Sequence, residues 1–411
     1  MEIVRRECRV PVRNQTDVLV VGGGPAGFGA AIAAARAGMK VSLVEQSGML
    51  GGMWTLGLLS PFFDNRNKEG LNRELRERLQ SKKAWGGLWD MSFDPIQMAF
   101  LLDDYATEHH LDLLLHSVAT EPILDGNQIR GIIVENKSGA QAILARVVID
   151  CTGDGDIAAR AGAPFEVGRA GDHICQPMTT MFRIAGLRED YPRDETLLWY
   201  QKLIEQIPED EVLQQVPFNH PALIRLPNPG EALIQWTHVR RHSGIDADDL
   251  TAAEIEGRRQ VRNAMKLFEK IRPVLGDVRL IALPSVIGVR ETRRITGEHV
   301  ISDDEVRQGV RPEDTICVVR FGVDIHEPDN RRQTCWGHPG FGIPYRSLVP
   351  LKVENLLTAG RCISGSFTAH AAYRVTGDCL ETGEAAGKAA ALAIREQVSV
   401  RSLCGKYPAA N

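Results

Sequence analysis

The residues with the plainest chemical purpose are six in a row, Gly22-Gly23-Gly24-Pro25-Ala26-Gly27, spaced as G-x-G-x-x-G. They fall between an apolar run, Asp17–Val21, and an Ala-rich run, Pro25–Ala37, which Gly38 closes. Gly22 permits a tight turn, Gly24 lets a pyrophosphate approach the backbone, and Gly27 lets a helix lie close on a strand. The helix start, with Pro25 and Ala26 in its first turn, offers free N–H groups and a positive dipole end to phosphate. Glu45 ends the next apolar run, Lys40–Val44, where a carboxylate accepts hydrogen bonds from ribose hydroxyls. Strand, glycines, small-residue helix and acid in register predict a dinucleotide site.

That unit alone does not separate NAD from FAD. A second glycine loop, Gly48-Met49-Leu50-Gly51-Gly52, follows the acid at once, and a simple nicotinamide enzyme has no use for it. FAD does, because its pyrophosphate and ribityl chain need close backbone approach. Met53 and Trp54 are then expected beside the isoalloxazine, the alternative for Trp54 being a core aromatic. The apolar run Val147–Asp150 leads into Cys151-Thr152-Gly153-Asp154-Gly155, which brings Thr152 and Gly153 to the cofactor. Asn355–Ala359 leads into Gly360 and Arg361 in the same manner. Arg374-Val375-Thr376-Gly377 precedes a helix expected over Asp378–Ile394, whose dipole would stabilise charge on the reduced flavin above Thr376 and Gly377. FAD is expected to bind without a covalent link; Cys362 and His370 are where such a link would be sought.

Taken together, the glycine motif with Glu45, the Gly51-Gly52 loop, Cys151–Gly155 and Leu357–Arg361 resemble the FAD-dependent oxidoreductase family. That family sits in the glutathione-reductase-like flavoprotein superfamily, and the chain is similar to the flavin module of heterodisulfide reductase A-type subunits. The phrases Gly288–Arg294, Ile343–Leu348 and Ala369–Arg374 carry the same resemblance, which spans both chain ends and fades in the middle. It implies redox chemistry on a small polar metabolite by hydride transfer at flavin N5, with oxygen, a quinone or another carrier as second substrate. Many relatives carry an acid where this chain has Arg361. An Asp-based ribityl contact is therefore not expected, and Arg361 faces either a phosphate or a surface ion-pair partner.

Flavin chemistry asks the protein for positioning and a proton path. His370 is the first candidate acid/base, and Arg374, four residues on, the anchor for a carboxylate or the flavin carbonyl; a purely structural His370 is the competing reading. His338 and Tyr345 are second candidates, although the Gly and Pro around His338 also suit a tight connection. Arg290, Arg293 and Arg294 suit an acidic substrate or the pyrophosphate, or else an ion-pair network with Glu291 that joins two domains. His238 and His242 are spaced like metal ligands, but no third ligand is evident and no metal is expected.

These groups need elements to hold them. The α/β pattern predicts a discontinuous Rossmann-like FAD-binding domain, residues 12–164 and 326–400, with an inserted α+β substrate or cap domain, 165–325. Helices are expected over Pro95–Glu108 and about Ala252–Ile271, and strands over Leu111–His116, Ile123–Val134 and Ala142–Ile149. The 411 residues are 43% hydrophobic and 25% charged, an ordinary globular balance, and a length that suits two domains. A net charge of −5 with dispersed Lys and Arg argues against nucleic acid or an anionic membrane as partner. Oligomeric state is left open. Eight cysteines without a C-x-x-C pair argue against zinc ribbons and iron–sulfur clusters. Buried reduced thiols, and an N-terminus without a signal-peptide core, point to a cytoplasmic protein. Two rivals follow: an electron-transfer module in a multiprotein complex, which cluster-binding cysteines would mark, and an RNA-modifying flavoprotein, which a basic stripe would mark.

Overall fold

A computed structural model describes residues 9–407. Its central sheet begins with strand Val12–Val21, flanked in parallel by Val41–Val44 and by Gly139–Asp150. Asp112–Leu114 extends one edge in parallel. On the other side Gly139–Asp150 does two jobs. Its first half pairs antiparallel with Gln128–Asn136, which pairs with Val118–Asp125. Its last three residues pair in parallel with Leu356–Thr358, in the register Val148–Leu356, Ile149–Leu357 and Asp150–Thr358. The chain thus returns after some two hundred residues to complete the sheet at the end where the glycine loops lie. The run expected to be two strands over 123–149 is three, broken at the Asp125–Gly126 and Lys137–Gly139 turns.

Small residues set the layer on that sheet. Helix Pro25–Arg36 is nearly all Ala and Gly on its buried face. The closing helix Thr376–Glu396 crosses it so closely that a methyl on Gly383 would sit 1.9 Å from the Ala26 carbonyl oxygen, and one on Gly387 2.2 Å from that of Ala30. This interlock buries both helices and aims their N-termini toward the same edge of the sheet. The stretch 364–377, read as a loop, contains a helix, Phe367–Tyr373, capped by Ser366, whose hydroxyl accepts from the Ala369 N–H. His370 therefore sits on a helix.

A separate core occupies residues 182–275. Four antiparallel strands, ordered Ala222–Arg225, Glu231–Gln235, Phe182–Leu187 and Gly276–Ala282, pack on helix Ala247–Lys270 around Trp199, Trp236 and Phe268. Ile301, Ile316, Cys317 and Val323 belong to the core of the first sheet instead. Among the described residues, no helix is long and apolar enough to cross a membrane. The seven described cysteines are free thiols; Cys8 lies outside the described residues.

Candidate functional site

The glycine loops are built to hold something. Gly22 has φ 97°, and a methyl there would meet the Cys151 carbonyl at 2.5 Å; a methyl on Gly27 would strike the Gly22 carbonyl at 1.7 Å. Gly24 differs. Its φ of −69° suits any residue, and nothing lies within 4 Å of where its Cβ would be. Neither backbone strain nor protein packing calls for glycine there; close approach of a ligand to the helix N-terminus does. Gly51 (φ 104°) donates its N–H to the Gly23 carbonyl at 2.8 Å, and Gly52 reaches the Gly24 backbone, so the two loops form one cradle.

Glu45 ties the cradle together. One carboxylate oxygen accepts the Gly23 N–H at 2.7 Å, and the other accepts the Ser47 N–H and hydroxyl, each at 2.7 Å. Each oxygen keeps further acceptor capacity for a ribose hydroxyl. Pro25 and Ala26 occupy the first turn above it, and Ala26 packs under Gly360. Thr152 is turned inward: its hydroxyl donates to Asp150 at 2.7 Å and accepts the Asp156 N–H. Asp150, unremarked in the sequence, caps the short helix Asp156–Arg160 through the Ile157 and Ala158 N–H groups, and burial raises its pKa.

Arg361 lies across Gly153, where a methyl would fall 2.5 Å from the guanidinium. It pairs with Asp154 at 3.2 Å, yet its Nη1 is buried without a hydrogen-bond partner. The Thr376 hydroxyl, Arg374 Nε and His370 Nδ1 share that condition. Buried polar atoms nearly always have partners. With the Ser364 hydroxyl, these make five orphans among the described residues 361–376; next to an open glycine cradle, they fit an elongated polar ligand with phosphates and ring carbonyls. Gly377 packs tightly on the Phe63–Asp64 backbone and donates its N–H to Phe63 at 3.0 Å, which fixes the start of the closing helix.

Trp54 is not on this surface. It is fully buried, edge-on to Phe62 (4.9 Å) and Phe93 (6.4 Å), so the core reading holds for it. Met53, beside it, does face outward from that core and touches Gly288. Tyr345 is also structural in its surroundings: its hydroxyl donates to the Val400 carbonyl at 2.8 Å, and its ring stacks on Tyr407. Both His338 ring nitrogens are engaged with backbone, at the Phe321 carbonyl and the Gly340 N–H.

Beyond the cradle the structure gathers charge from distant segments. Arg294, buried, pairs with the buried Glu291, which also accepts the Gln176 N–H; burial lifts the Glu291 carboxyl to about 7. Arg374 donates to the Asp324 carbonyl at 2.9 Å. Arg290 is only 8% exposed and donates to the Pro177 carbonyl and the Thr179 hydroxyl. Among the described residues it has no ion-pair partner, and burial with Arg374 nearby presses its pKa down to about 9. His370 is 1% exposed, and burial with Arg294, Arg374 and Arg361 around it holds the ring well below its usual pKa. Arg293 instead holds the segment after strand Gly139–Asp150, donating to the Asp154 carbonyl and pairing with Asp156.

His238 and His242 do not come together. His242 meets Asp249, whereas His238 Nε2 lies 2.9 Å from His326 Nδ1. Neither His326 nor its partner Asp324 (3.3 Å) stood out in the sequence; an isolated histidine in Asp324-Ile325-His326 carries no spacing signal. Elsewhere Cys317, Asp378 and Glu381 place ligand-type atoms within 4.8 Å of one another, but the Lys68 ammonium already sits among them, 2.8 Å from Asp378.

Comparison with known proteins agrees with this geometry. Residues 17–408 match the model of a family described as FAD dependent oxidoreductase. A dihydrolipoyl dehydrogenase of Trypanosoma brucei brucei is 55% identical over 47 residues, 11% of this chain and 10% of that protein. A digeranylgeranylglycerophospholipid reductase of Methanoculleus marisnigri is 29% identical over 178 residues, 37% of this chain and 42% of that protein. The chain spans less than half the length of either relative. Among solved structures, the flavin-dependent brominase Bmp2 superposes with a TM-score of 0.54 at 12% identity, over 93% of this chain and 80% of that one. At that identity the likeness is one of fold.

Proposed function

This chain belongs to the FAD-dependent oxidoreductase family, its cofactor is FAD, and from that premise we propose that it oxidises or reduces a small, polar, anionic metabolite. When bound, FAD supplies the two-electron chemistry, exchanging a hydride at N5. The cradle formed by Gly22, Gly24, Gly27, Glu45, Gly51 and Gly52 would hold its adenosine and pyrophosphate, with Arg361 and Thr376 toward the flavin end. Residues 12–164 and 326–400 form the cofactor domain in this reading and 165–325 the covering one; the separate core at 182–275 supports a covering unit, whereas Ile301, Ile316, Cys317 and Val323 pack with the first sheet and draw the boundary back to before residue 301.

The observation that carries the proposal is Arg290. A buried cation without a counter-charge is costly, several kcal/mol even after relaxation. Asp324, the nearest opposite charge, is already engaged by Arg374 and His326. A substrate carboxylate or phosphate would complete the pair, with Arg374 as second anchor. His370, neutral among three guanidiniums and with an unpartnered Nδ1, is the proposed acid/base. The similarity to heterodisulfide reductase A-type flavin modules and a reducing, cytoplasmic setting belong to the same proposal, and the free thiols accord with the latter.

The test is anaerobic bleaching of the FAD-loaded protein by a panel of small hydroxy and amino acids beside their neutral amides. Bleaching by a carboxylate but not its amide, lost in Arg290→Met, is expected. Equal bleaching by acid and amide, or by none of the panel, would overturn the reading.

A further inference from the structure

His238 and His326 are buried, 2% and 1% exposed, and sit where the two cores meet. His238 follows strand Glu231–Gln235 of the second core; Asp324 and His326 lie on Val323–His326, paired with Gln333–Trp336. The contacts run in series. Arg240 Nη2 approaches His238 Nδ1 at 3.4 Å, His238 Nε2 meets His326 Nδ1 at 2.9 Å, and His326 Nε2 meets Asp324 Oδ2 at 3.3 Å. Arg374, which leads into the flavin-facing helix, closes the line on Asp324. Arg240 is half-buried, so one end reaches toward solvent and the other toward the cofactor.

The direction of each bond can be deduced. A carboxylate only accepts and a guanidinium only donates. His326 must then carry its proton on Nε2 to meet Asp324, which leaves its Nδ1 as acceptor. His238 must carry its proton on Nε2 to meet that acceptor, which leaves its own Nδ1 facing Arg240. Both tautomers are fixed without a conflict anywhere in the line. We infer that Asp324, His326 and His238 form a buried proton relay between solvent at Arg240 and the flavin site at Arg374. The inference rests on the redox reading above and adds a route for its proton.

The groups around the relay suit transfer by tautomer exchange. Arg290 faces both rings from the Gly288–Arg290 segment, Arg240 faces His238 from two residues further along the same segment, and Arg374 faces Asp324 from the end of Phe367–Tyr373. Phe218 stacks on His238 at 3.8 Å, and Gln260 clamps the His238 backbone from helix Ala247–Lys270. The Gln176 side chain accepts the His326 backbone N–H, and Gln333 and Cys335 donate to Asp324. Burial and these cations hold His238 well below its usual pKa and bring His326 down to about 4, so neither ring rests as imidazolium. Bound FAD would supply the hydride, with its electron pair, for reduction of a C=O or C=N bond. The oxygen or nitrogen that gains the π pair would take its proton from His370, the proposed acid/base, and the Asp324 end of the relay would return a proton to that site. His326 and then His238 each pass on the Nε2 proton and gain one at Nδ1, the last from water. Oxidation returns hydride and proton by the reverse steps. Asp324, His326 and His238 are positioning residues in the sense that they act through the group that meets substrate.

Two measurements test this without a known substrate. Nitrogen-15 histidine spectra of the FAD-loaded protein should show both rings neutral and protonated at Nε2 from roughly pH 5 to 8, and Asp324→Asn should mix the His326 tautomers. Photoreduction of the same protein with an indicator dye should show proton uptake in step with reduction. In His326→Gln and His238→Gln that uptake should lag at least tenfold, at unchanged FAD occupancy and circular dichroism. If a variant fails to fold, the wild-type spectra still decide. Rings that titrate independently near their ordinary pKa, or uptake unchanged in both variants, would overturn the relay. A metabolite panel that never bleaches FAD would sink the substrate reading and leave these results standing.

Discussion

The cradle and the buried charged cluster solve opposite problems. The cradle is made of backbone: Gly22, Gly24, Gly27, Gly51 and Gly52 leave room, and one carboxylate, Glu45, ties two loops. Its polar groups are largely satisfied within itself. The charged cluster is made of side chains from segments far apart in sequence, Arg290, Arg294, Asp324, His326, His238 and Arg374; in it Arg374 Nε lacks a hydrogen-bond partner and Arg290 lacks an ion-pair partner. A site that must accept one invariant cofactor can be cut to shape. A site for a reacting anion must keep unmet charge, and it accepts a stability cost to do so.

If that contrast is sound, a single methyl should damage the cradle side most. Gly383→Ala puts Cβ against the Ala26 carbonyl, backbone on backbone, with no flexible atom to yield. The expected cost lies at or beyond the upper end of the ~1–3 kcal/mol of overpacking, read as loss of bound FAD per mole of protein and a collapsed melting temperature. A well-melting, yellow variant would break the comparison.

Next in size, Arg290→Met should separate stability from function. Carboxylate-driven bleaching should fall at least a hundredfold, whereas unfolding free energy should hold or rise by something on the order of 1 kcal/mol, because an uncompensated buried cation is gone. Denaturant midpoints with and without a carboxylate ligand provide the check. A variant that is less stable and fully active would assign Arg290 to the scaffold.

The pH dependence of stability follows with a definite sign for each buried group. His238, His326 and His370 have depressed pKa values in the fold, His326 about 4 against 6.5 in the unfolded chain. The unfolded chain therefore binds more protons, and their contribution is complete above about pH 6.5 and lost as pH falls toward 4. Glu291, raised to about 7 from 4.5, works the other way, adding stability below 4.5 that is lost as pH rises through 7. Asp150 and Asp378, raised by burial, act in the same sense as Glu291, so the histidine share of the slope is read by difference. Melting curves should show it, and His238→Gln should reduce it.

The smallest effect is reserved for Trp54→Phe. Trp54 packs in the core with an indole N–H that lacks a partner, so loss of volume and removal of an unsatisfied donor partly cancel. A change of about 1–2 kcal/mol with an unaltered flavin spectrum is expected; a shifted spectrum would return Trp54 to the cofactor surface.

How much could be read beforehand divides along the same line. Gly22–Gly27 with Glu45 was legible because a dinucleotide site is contiguous and each residue type has a local reason. Helix Pro95–Glu108 was legible to the residue, since Asp94 caps it and Pro95 opens it. The His238–His326 contact was not, because a pair 88 positions apart leaves no periodicity. Nor was the short helix around His370, where glycine and serine before Ser366 suggested a loop. Trp54 shows the remaining ambiguity: an aromatic after a glycine loop faces ligand or core according to one turn of backbone, Gly51–Thr55, that spacing does not determine.

The interlock of Gly29 with Leu380 and of Gly383 and Gly387 with Ala26 and Ala30 has a consequence in time. The nucleotide loop leaves the ribosome early, but the helix that buries its partner face follows about 350 residues later, about 20–70 s at roughly 5–20 residues per second. Until then the Ala-rich helix has an uncovered apolar side and the cradle lacks its wall. Assembly of the complete cradle therefore waits on synthesis of the closing helix Thr376–Glu396.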